Sequence, residues 1–366
     1  MSYSVGIVGA TGAVGREMAH QLELRALPVS ELRLFASRRS HGRLLPFAGK
    51  EISVRGMEIS ADTDAAALAE QFAGLNIVLL SAGGTVSKTV SPAAAEAGAV
   101  AIDNSSAFRM EDDVPLVVPE VNPRAVEGHK GIIANPNCST IQMVVALKPI
   151  MDAAGLKRVV VSTYQSASGI GEKGSTELEH AAAAALRSGR GTSHARRDDP
   201  KAPADTFRPL VFPKDIGFNL FPLIDRMEEG CHCREELKMV FESRKILEAP
   251  DLPVSATSVR VPVFVGHSLS LWLETETKLG REECLEALRS APGLVVFDEM
   301  RGEPTPTPRD VAEEDRVWIG RVREDPCNER CLMLWAVANN LRKGAATNAV
   351  QIAEELVSRG LLEKKH

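Results

Sequence analysis

The sequence predicts an α/β protein: a Rossmann-type, doubly wound domain first, then an α+β domain with a large mixed sheet. Three observations carry that expectation. Through residues 3–103, short apolar runs alternate with amphipathic stretches, as in a parallel sheet covered by helices. A glycine-rich segment, Gly9 to Gly15, separates the first apolar run from the first helix. Beyond residue 135 the alternation gives way to strands spaced as in a mixed or antiparallel sheet. At 366 residues the chain also exceeds the roughly 250–300 at which one hydrophobic core stops growing, so two domains are expected.

In chain order, Tyr3 to Val8 reads as a buried strand, Val14 to Leu24 as a helix, and Leu32 to Ala36 as the second strand. Thr63 to Phe72 is helical, Asn76 to Leu80 a strand, Val86 to Ala97 a helix and Ala99 to Asp103 a strand. These strands are apolar on both faces, which fits burial between helical layers. The order changes near residue 135. Cys138 to Ala154 has helical periodicity, Lys157 to Thr163 is strand-like, and Glu172 to Arg187 is a helix containing an alanine run. Residues 188–218 are rich in Gly, Arg, Asp and Pro and predict a long excursion. Later strands are expected at Ala256 to Pro262, Leu269 to Glu276, Leu294 to Phe297, Val317 to Val322 and Leu332 to Val337. A helix from Asn348 to Leu361 closes the chain.

Composition narrows the function classes. Hydrophobic residues make up 44% and charged residues 25%, which excludes a disordered or collagen-like chain. The net charge of -6 and the lack of a basic stripe argue against nucleic-acid binding. No apolar run reaches the roughly 18 residues of a membrane helix. The first residues pass almost directly into a strand, so no secretory signal is expected. Six scattered cysteines are too few for a disulfide framework, which fits a reducing, cytoplasmic setting.

Gly9-Ala10-Thr11-Gly12-Ala13-Val14-Gly15 has the spacing G-x-x-G-x-x-G between a strand and a helix. Glycines there let the backbone approach a pyrophosphate, and the helix N-terminus faces it with unpaired N–H groups. The end of the second strand, Ser37-Arg38-Arg39-Ser40, has no acid for a ribose hydroxyl. Its arginines and hydroxyls suit a 2′-phosphate, so the expected cofactor is NADP(H). Solvated surface charges are the plainer reading of Arg38 and Arg39. Ser81-Ala82-Gly83-Gly84 after the next strand offers a second backbone approach, or a simple turn.

Asn135-Pro136-Asn137-Cys138-Ser139-Thr140 marks a sharp junction between a strand and a helix. A thiol at a helix N-terminus feels the dipole, so its pKa is expected to fall and Cys138 to become a nucleophilic thiolate. A buried structural cysteine is the alternative. Beside a dinucleotide-binding domain, the combination suggests an aldehyde or acyl dehydrogenase. Such an enzyme needs an acid–base group, and His267, preceded by Gly266 between two strands, stands apart from the other histidines. Arg260 is a lone charge in an apolar strand and needs an anionic partner; a substrate carboxylate is a candidate. A satisfied core histidine and an internal ion pair remain open for these two.

The chain resembles the aspartate-β-semialdehyde dehydrogenase family. The matching segments are Gly9-to-Gly15, Ala36-to-Ser40, Asn104-to-Arg109, Asn135-to-Thr140, Tyr164-to-Gly169, Glu235-to-Lys238, Arg260-to-His267 and Leu341-to-Asn348. They run in order over nearly the whole chain. The resemblance implies NADPH-dependent interconversion of L-aspartyl 4-phosphate and L-aspartate 4-semialdehyde, on the route to lysine, threonine and methionine. It implies that Cys138 is the nucleophile, His267 the acid–base histidine and Gln165 the glutamine that positions the acyl intermediate. Arg260 would grip the α-carboxylate and Glu235 the α-amino group, with Lys238, Arg109 and Asn137 at the phosphate. Gly9, Thr11, Gly12, Ala13, Val14, Gly15, Ser37, Arg39, Ser40, Ser81, Gly83 and Gly169 would line the cofactor. It also implies a homodimer, with residues 1–135 as the NADP-binding domain and 136–339 as the catalytic and dimerisation domain. The C-terminal helix, about 340–366, is expected to pack back on the first domain. Asn339-Asn340 stands where the family more often has an acid followed by asparagine.

Glu235 and Lys238 could instead form a solvated helix face, since (i, i+3) charge pairs are common. N-acetyl-γ-glutamyl-phosphate reductase runs the same thioester chemistry, but it would need room for an acetylated amine rather than an acid such as Glu235. A silent NADP-binding paralogue would be expected to lack the nucleophile or base, whereas Cys138, Gln165 and His267 are all present. Cys231-His232-Cys233 with Cys327 and Cys331 matches zinc spacing poorly, so no metal is expected.

Overall fold

Alternating runs of Val, Ile and Leu with both faces apolar must be covered on both sides, and here they are. The computed structural model describes residues 2–60, 63–188 and 207–362. Strands β1 (Tyr3–Val8), β2 (Val29–Ser37), β3 (Leu44–Phe47), β4 (Lys50–Met57), β5 (Ile77–Leu80), β6 (Val100–Asp103) and β7 (Ile132–Ala134) form one sheet. Their order is β3-β4-β2-β1-β5-β6-β7. All neighbours are parallel except β3 and β4. Helices α1 (Ala13–Leu24), α2 (Ala65–Phe72) and α3 (Gly84–Glu96) connect these strands. The strand order reverses between β1 and β5, and there the turns after both strands open a crevice. Helix α2 starts two residues later than its periodicity predicts, because Asp64 caps it through the N–H groups of Ala66 and Ala67. The β3–β4 hairpin was not expected. Its turn, Ala48-Gly49, takes positive φ at both residues, 49° and 71°, as a two-residue hairpin requires.

The second sheet contains β8 (Arg158–Gln165), β9 (Val254–Arg260), β10 (His267–Glu274), β11 (Leu294–Val296), β12 (Val317–Asp325) and β13 (Asn328–Ala338). Its order is β11-β12-β13-β10-β8-β9, parallel at β11/β12 and β8/β9 and antiparallel elsewhere. Helices α4 (Cys138–Ala154), α5 (Glu172–Ser188), α6 (Arg234–Ile246) and α7 (Arg281–Ser290) accompany it. Helix α4 is apolar around most of its circumference because it is enclosed: Ile141, Val144 and Leu147 share a core with Val161, Leu269 and Leu334. The C-terminal ends of β8 and β9 and the N-terminal start of β10 lie along one edge of this sheet.

The chain then returns to the first domain. A π-helical turn, Arg342–Ala346, leads into α8 (Thr347–Ser358), whose Ala349, Val350, Ile352 and Leu356 are buried with Val5, Ile7 and Leu34. Of the predicted excursion, residues 189–206 lie outside the described residues. Residues 207–218 contain neither helix nor strand. Glu177 of α5 holds them by accepting the N–H groups of Leu210, Val211 and Phe212 at 2.8, 2.6 and 2.9 Å.

Candidate active site

The dinucleotide side is built from backbone. Gly9 ends β1 with φ +86°, and a Cβ there would lie 2.3 Å from the carbonyl oxygen of Ser81. A Cβ on Gly15 would lie 2.2 Å from the carbonyl of Gly9. These two positions demand glycine: Gly9 brings the turns after β1 and β5 into contact, and Gly15 lets α1 pack against the first of those turns. Gly12 caps α1, which Ala13 and Val14 open, and Gly83 caps α3 with φ +84°. Both helix N-termini therefore lie beside the crevice. A cavity of about 410 Å³ continues from it, lined by Gly9, Ser37, Arg38, Arg39, Glu58 and Ala82 among others. Arg38 is paired with Glu58 at 3.0 Å, whereas Arg39 has no partner among the described residues. Thr11 Oγ1 and Ser40 Oγ lie 3.4 Å apart at the mouth. The glycine cradle, the unpaired guanidinium and the hydroxyls suit a dinucleotide with a 2′-phosphate. Glu58, from the end of the unexpected β4, is an acid the sequence reading did not place there. Gly169 lies elsewhere: a Cβ on it would sit 3.1 Å from Arg260 Nη1 and 3.4 Å from the His267 ring.

Cys138 is the first residue of α4. Asn137 caps that helix, its Oδ1 accepting the N–H groups of Ser139 and Thr140 at 3.0 and 3.2 Å, an arrangement typically worth about 1 kcal/mol. Gly344 of the π-helical turn packs on the cysteine: a Cβ there would be 2.8 Å from Cys138 Cβ. Around this pair the structure gathers the other predicted groups. Glu235 Oε1 accepts from Asn137 Nδ2 at 2.8 Å and Gln165 Nε2 at 3.2 Å, while its Oε2 accepts from Lys238 at 3.0 Å. Lys238 also reaches Asp225 at 3.0 Å. The Glu235–Lys238 pair is thus not a solvated face, since Glu235 is 5% exposed. Burial alone would raise the Glu235 pKa; the Lys238 charge and three donated hydrogen bonds hold it below the ordinary carboxylate range.

The expected depression of the Cys138 pKa is overturned. Cys138 is half-buried, yet protein surrounds its sulfur, and desolvation pushes the thiol up to about 11. The Glu235 charge adds to the rise, while Arg109, Arg260 and Lys238 oppose it. A helix terminus contributes only about 0.3–1 kcal/mol, less than one pKa unit, so it cannot reverse burial beside a carboxylate. Two of the three cations are themselves paired, Lys238 with Glu235 and Asp225, and Arg109 with Glu242. The substrate-free enzyme therefore holds a thiol.

Arg260 ends β9 opposite Gln165 of β8 and is 3% exposed. Its Nη1 donates to the carbonyl of Ser166, but no carboxylate bonds to it among the described residues. Burial lowers its pKa, against the charges of Glu235 and Cys138. His267 starts β10 and is fully buried. Its Nδ1 accepts the backbone N–H of Ser166 at 3.1 Å, so in the neutral ring the proton sits on Nε2. That Nε2 has no hydrogen-bond partner among the described residues. Burial first, then the Arg260 charge, lowers the His267 pKa to about 3, so the ring is neutral at physiological pH. A buried guanidinium without an anion and a buried N–H without an acceptor both call for a ligand between them.

Arg109 joins the cluster through Glu242, at 2.9 Å, and donates to the carbonyls of Asn135 and Asn104, each at 2.9 Å. Glu242 was not anticipated from the sequence, and Ser166, Asn340 and Gly344, which lie in the matching segments or beside them, had been given no role. Asn340 Oδ1 accepts from Ser166 Oγ at 3.1 Å and from the Gly266 N–H at 2.9 Å, which fixes the loops on both sides of His267. The local signal for Glu242 was its place seven residues after Glu235, on the same helical face.

Residues 4–129 match the family "Semialdehyde dehydrogenase, NAD binding domain", and residues 147–343 match "Semialdehyde dehydrogenase, dimerisation domain". The aspartate-semialdehyde dehydrogenase of Aquifex aeolicus is 50% identical over 99% of this chain and 100% of its own length. A crystal structure of aspartate semialdehyde dehydrogenase II from Vibrio cholerae, complexed with ASA, superposes with a TM-score of 0.87. It is 44% identical and covers 98% of this chain and 99% of that one. The Candida albicans enzyme with NADP superposes at 0.70 with 25% identity, covering 99% and 100% of the two chains.

Proposed function

Because the chain belongs to the aspartate-semialdehyde dehydrogenase family, we infer that it reduces L-aspartyl 4-phosphate to L-aspartate 4-semialdehyde with NADPH, reversibly, as a step in amino-acid biosynthesis. One observation supports the site roles most: Arg260 is a buried cation to which no carboxylate bonds among the described residues, and it stands beside a buried carboxylate, Glu235, and the sulfur of Cys138. An amino acid bearing an activated side-chain acyl group presents the complementary charges. Its α-carboxylate pairs with Arg260 and its ammonium with Glu235. Loss of the Glu235 field on ammonium binding removes one cause of the raised thiol pKa.

Cys138 then attacks the acyl carbon. The C–S bond forms, the C–O bond to phosphate breaks, and phosphate leaves toward Lys238 and Arg109 with the electron pair and the thiol proton, as hydrogen phosphate. Gln165, anchored on Glu235, orients the resulting thioester. NADPH, when bound, supplies hydride to the acyl carbon. Nε2–H of His267 donates to the substrate oxygen as negative charge develops there, and collapse of the thiohemiacetal breaks the C–S bond and restores the sulfur. His267 in this tautomer is a hydrogen-bond donor at rest, with Ser166 and Asn340 setting its orientation. Gly9, Thr11, Gly12, Gly15, Ser37, Arg39, Ser40, Ser81 and Gly83 would hold the cofactor, and Gly169 would meet it from the substrate side.

We divide the chain into an NADP-binding domain, 1–135 with the C-terminal helix, and a catalytic and dimerisation domain, 136–339. The protein is a homodimer through the second domain, a reading supported by the match to a dimerisation family and by exposed Phe218, Leu220 and Phe264. Among the described residues no helix is long and apolar enough to cross a membrane, and the free cysteines fit a cytoplasmic enzyme. Glu235, buried and acceptor-only, favours a free ammonium over an acetylated amine.

Aspartate semialdehyde, phosphate and NADP together should generate NADPH absorbance, and omission of phosphate should abolish it. No turnover with this mixture would overturn the assignment. Arg39→Ala should weaken NADPH by about 10- to 100-fold, as loss of a charge-assisted hydrogen bond does, and NADH by much less. Equal losses in fluorescence titrations would remove Arg39 from the 2′-phosphate.

A further inference from the structure

We propose that Glu242 is a positioning residue that sets the register between the Cys138 nucleophile and the site of the departing phosphate; this rests on the activity and roles inferred above. Glu242 lies on α6 and is 2% exposed. Its Oε2 accepts the backbone N–H of Asn137, the residue before Cys138, at 2.7 Å. Its Oε1 accepts from Arg109 Nη1 at 2.9 Å. One planar carboxylate therefore holds both the entry to the nucleophile helix and a cation for the leaving group. In acylation the sulfur bonds to the acyl carbon as the carbon–oxygen bond to phosphate breaks. Sulfur and phosphate site must then stand at a fixed separation, and an error of about 1 Å can cost about 100-fold in rate.

The rest of α6 serves the same frame. Lys245 Nζ donates to the carbonyls of Arg109, Glu111 and Val114 at 2.9, 2.6 and 2.9 Å, clamping the segment from which Arg109 projects. At about 100° per residue, Glu235, Lys238, Glu242 and Lys245 fall within about 80° of the helix circumference. The face that supplies the ammonium and phosphate groups thus also supplies the struts behind them. Stability is a weak reason for such a pair, since a buried ion pair often breaks even against apolar packing.

The test compares full-length wild type, Glu242→Gln and Glu242→Asp. Four quantities are read: kcat and KM for phosphate and semialdehyde, NADP affinity by fluorescence, Tm, and the phosphate concentration that half-protects Cys138 from iodoacetamide. Gln keeps the length but loses the charge and one acceptor; Asp keeps the charge but is too short to span both donors. Both variants should lose about 100-fold in kcat and need about 10-fold more phosphate for protection, with NADP affinity and semialdehyde KM within twofold. Wild-type rates from Glu242→Asp, tighter phosphate in Glu242→Gln, or a parallel loss of NADP affinity, semialdehyde KM and Tm would each overturn the proposal. Absence of wild-type turnover would sink the assigned reaction instead, and the protection assay would still report on Glu242.

Discussion

Cys138→Ala is expected to lose at least about 10⁴-fold in turnover while NADPH binds with unchanged affinity. The sulfur makes and breaks the covalent bond in the proposed reaction, and Cys138 does not line the cavity formed by Gly9, Ser37 and Arg39. The substitution removes little volume at a helix start whose cap is the Asn137 side chain, so the fold should persist. Steady-state rates and a cofactor titration decide the matter; an active Cys138→Ala enzyme refutes the nucleophile. The wild-type thiol adds a pH signature. Because its pKa is raised to about 11, the reactive thiolate is scarce at pH 7 in the free enzyme. Iodoacetamide should modify Cys138 slowly there and faster as pH climbs toward that value.

Arg260→Lys should lower kcat/KM for the semialdehyde by about 10- to 100-fold, and Arg260→Ala by more, with NADP affinity unchanged. Lysine keeps the charge but loses the fork that can grip a carboxylate with two parallel bonds. The lack of a side chain at Gly169 makes room for the guanidinium, since a Cβ there would approach Nη1 to 3.1 Å. An unchanged kcat/KM would reduce Arg260 to holding the Ser166 carbonyl.

The parallel sheet and its crevice were legible in the sequence because period and glycine spacing are local properties. Val5, Ile7 and Val8 had to be covered on both faces, and the Gly9 and Gly15 positions admit no side chain. The β3–β4 hairpin was not legible because β3 is four residues long and carries a proline, and β4 mixes charge with apolar residues; both lie at a sheet edge, where burial imposes little pattern. Helix α7 escaped for a similar reason: only Cys284, Leu285 and Leu288 of it are buried.

Residue types and order along the chain determined the α/β class, the dinucleotide turn and the set of groups, Cys138, Gln165, Glu235, Arg260 and His267, that can do acyl chemistry. Each of these depends on neighbours within a turn or a strand, or on a pattern of motifs that needs no coordinates. The ionisation of the sulfur, the tautomer of His267 and the place of Glu242 were decided only by tertiary structure. Charge and solvation act through space: Glu235 stands far along the chain from Cys138, yet its field and the surrounding protein outweigh the helix terminus on which the sulfur sits.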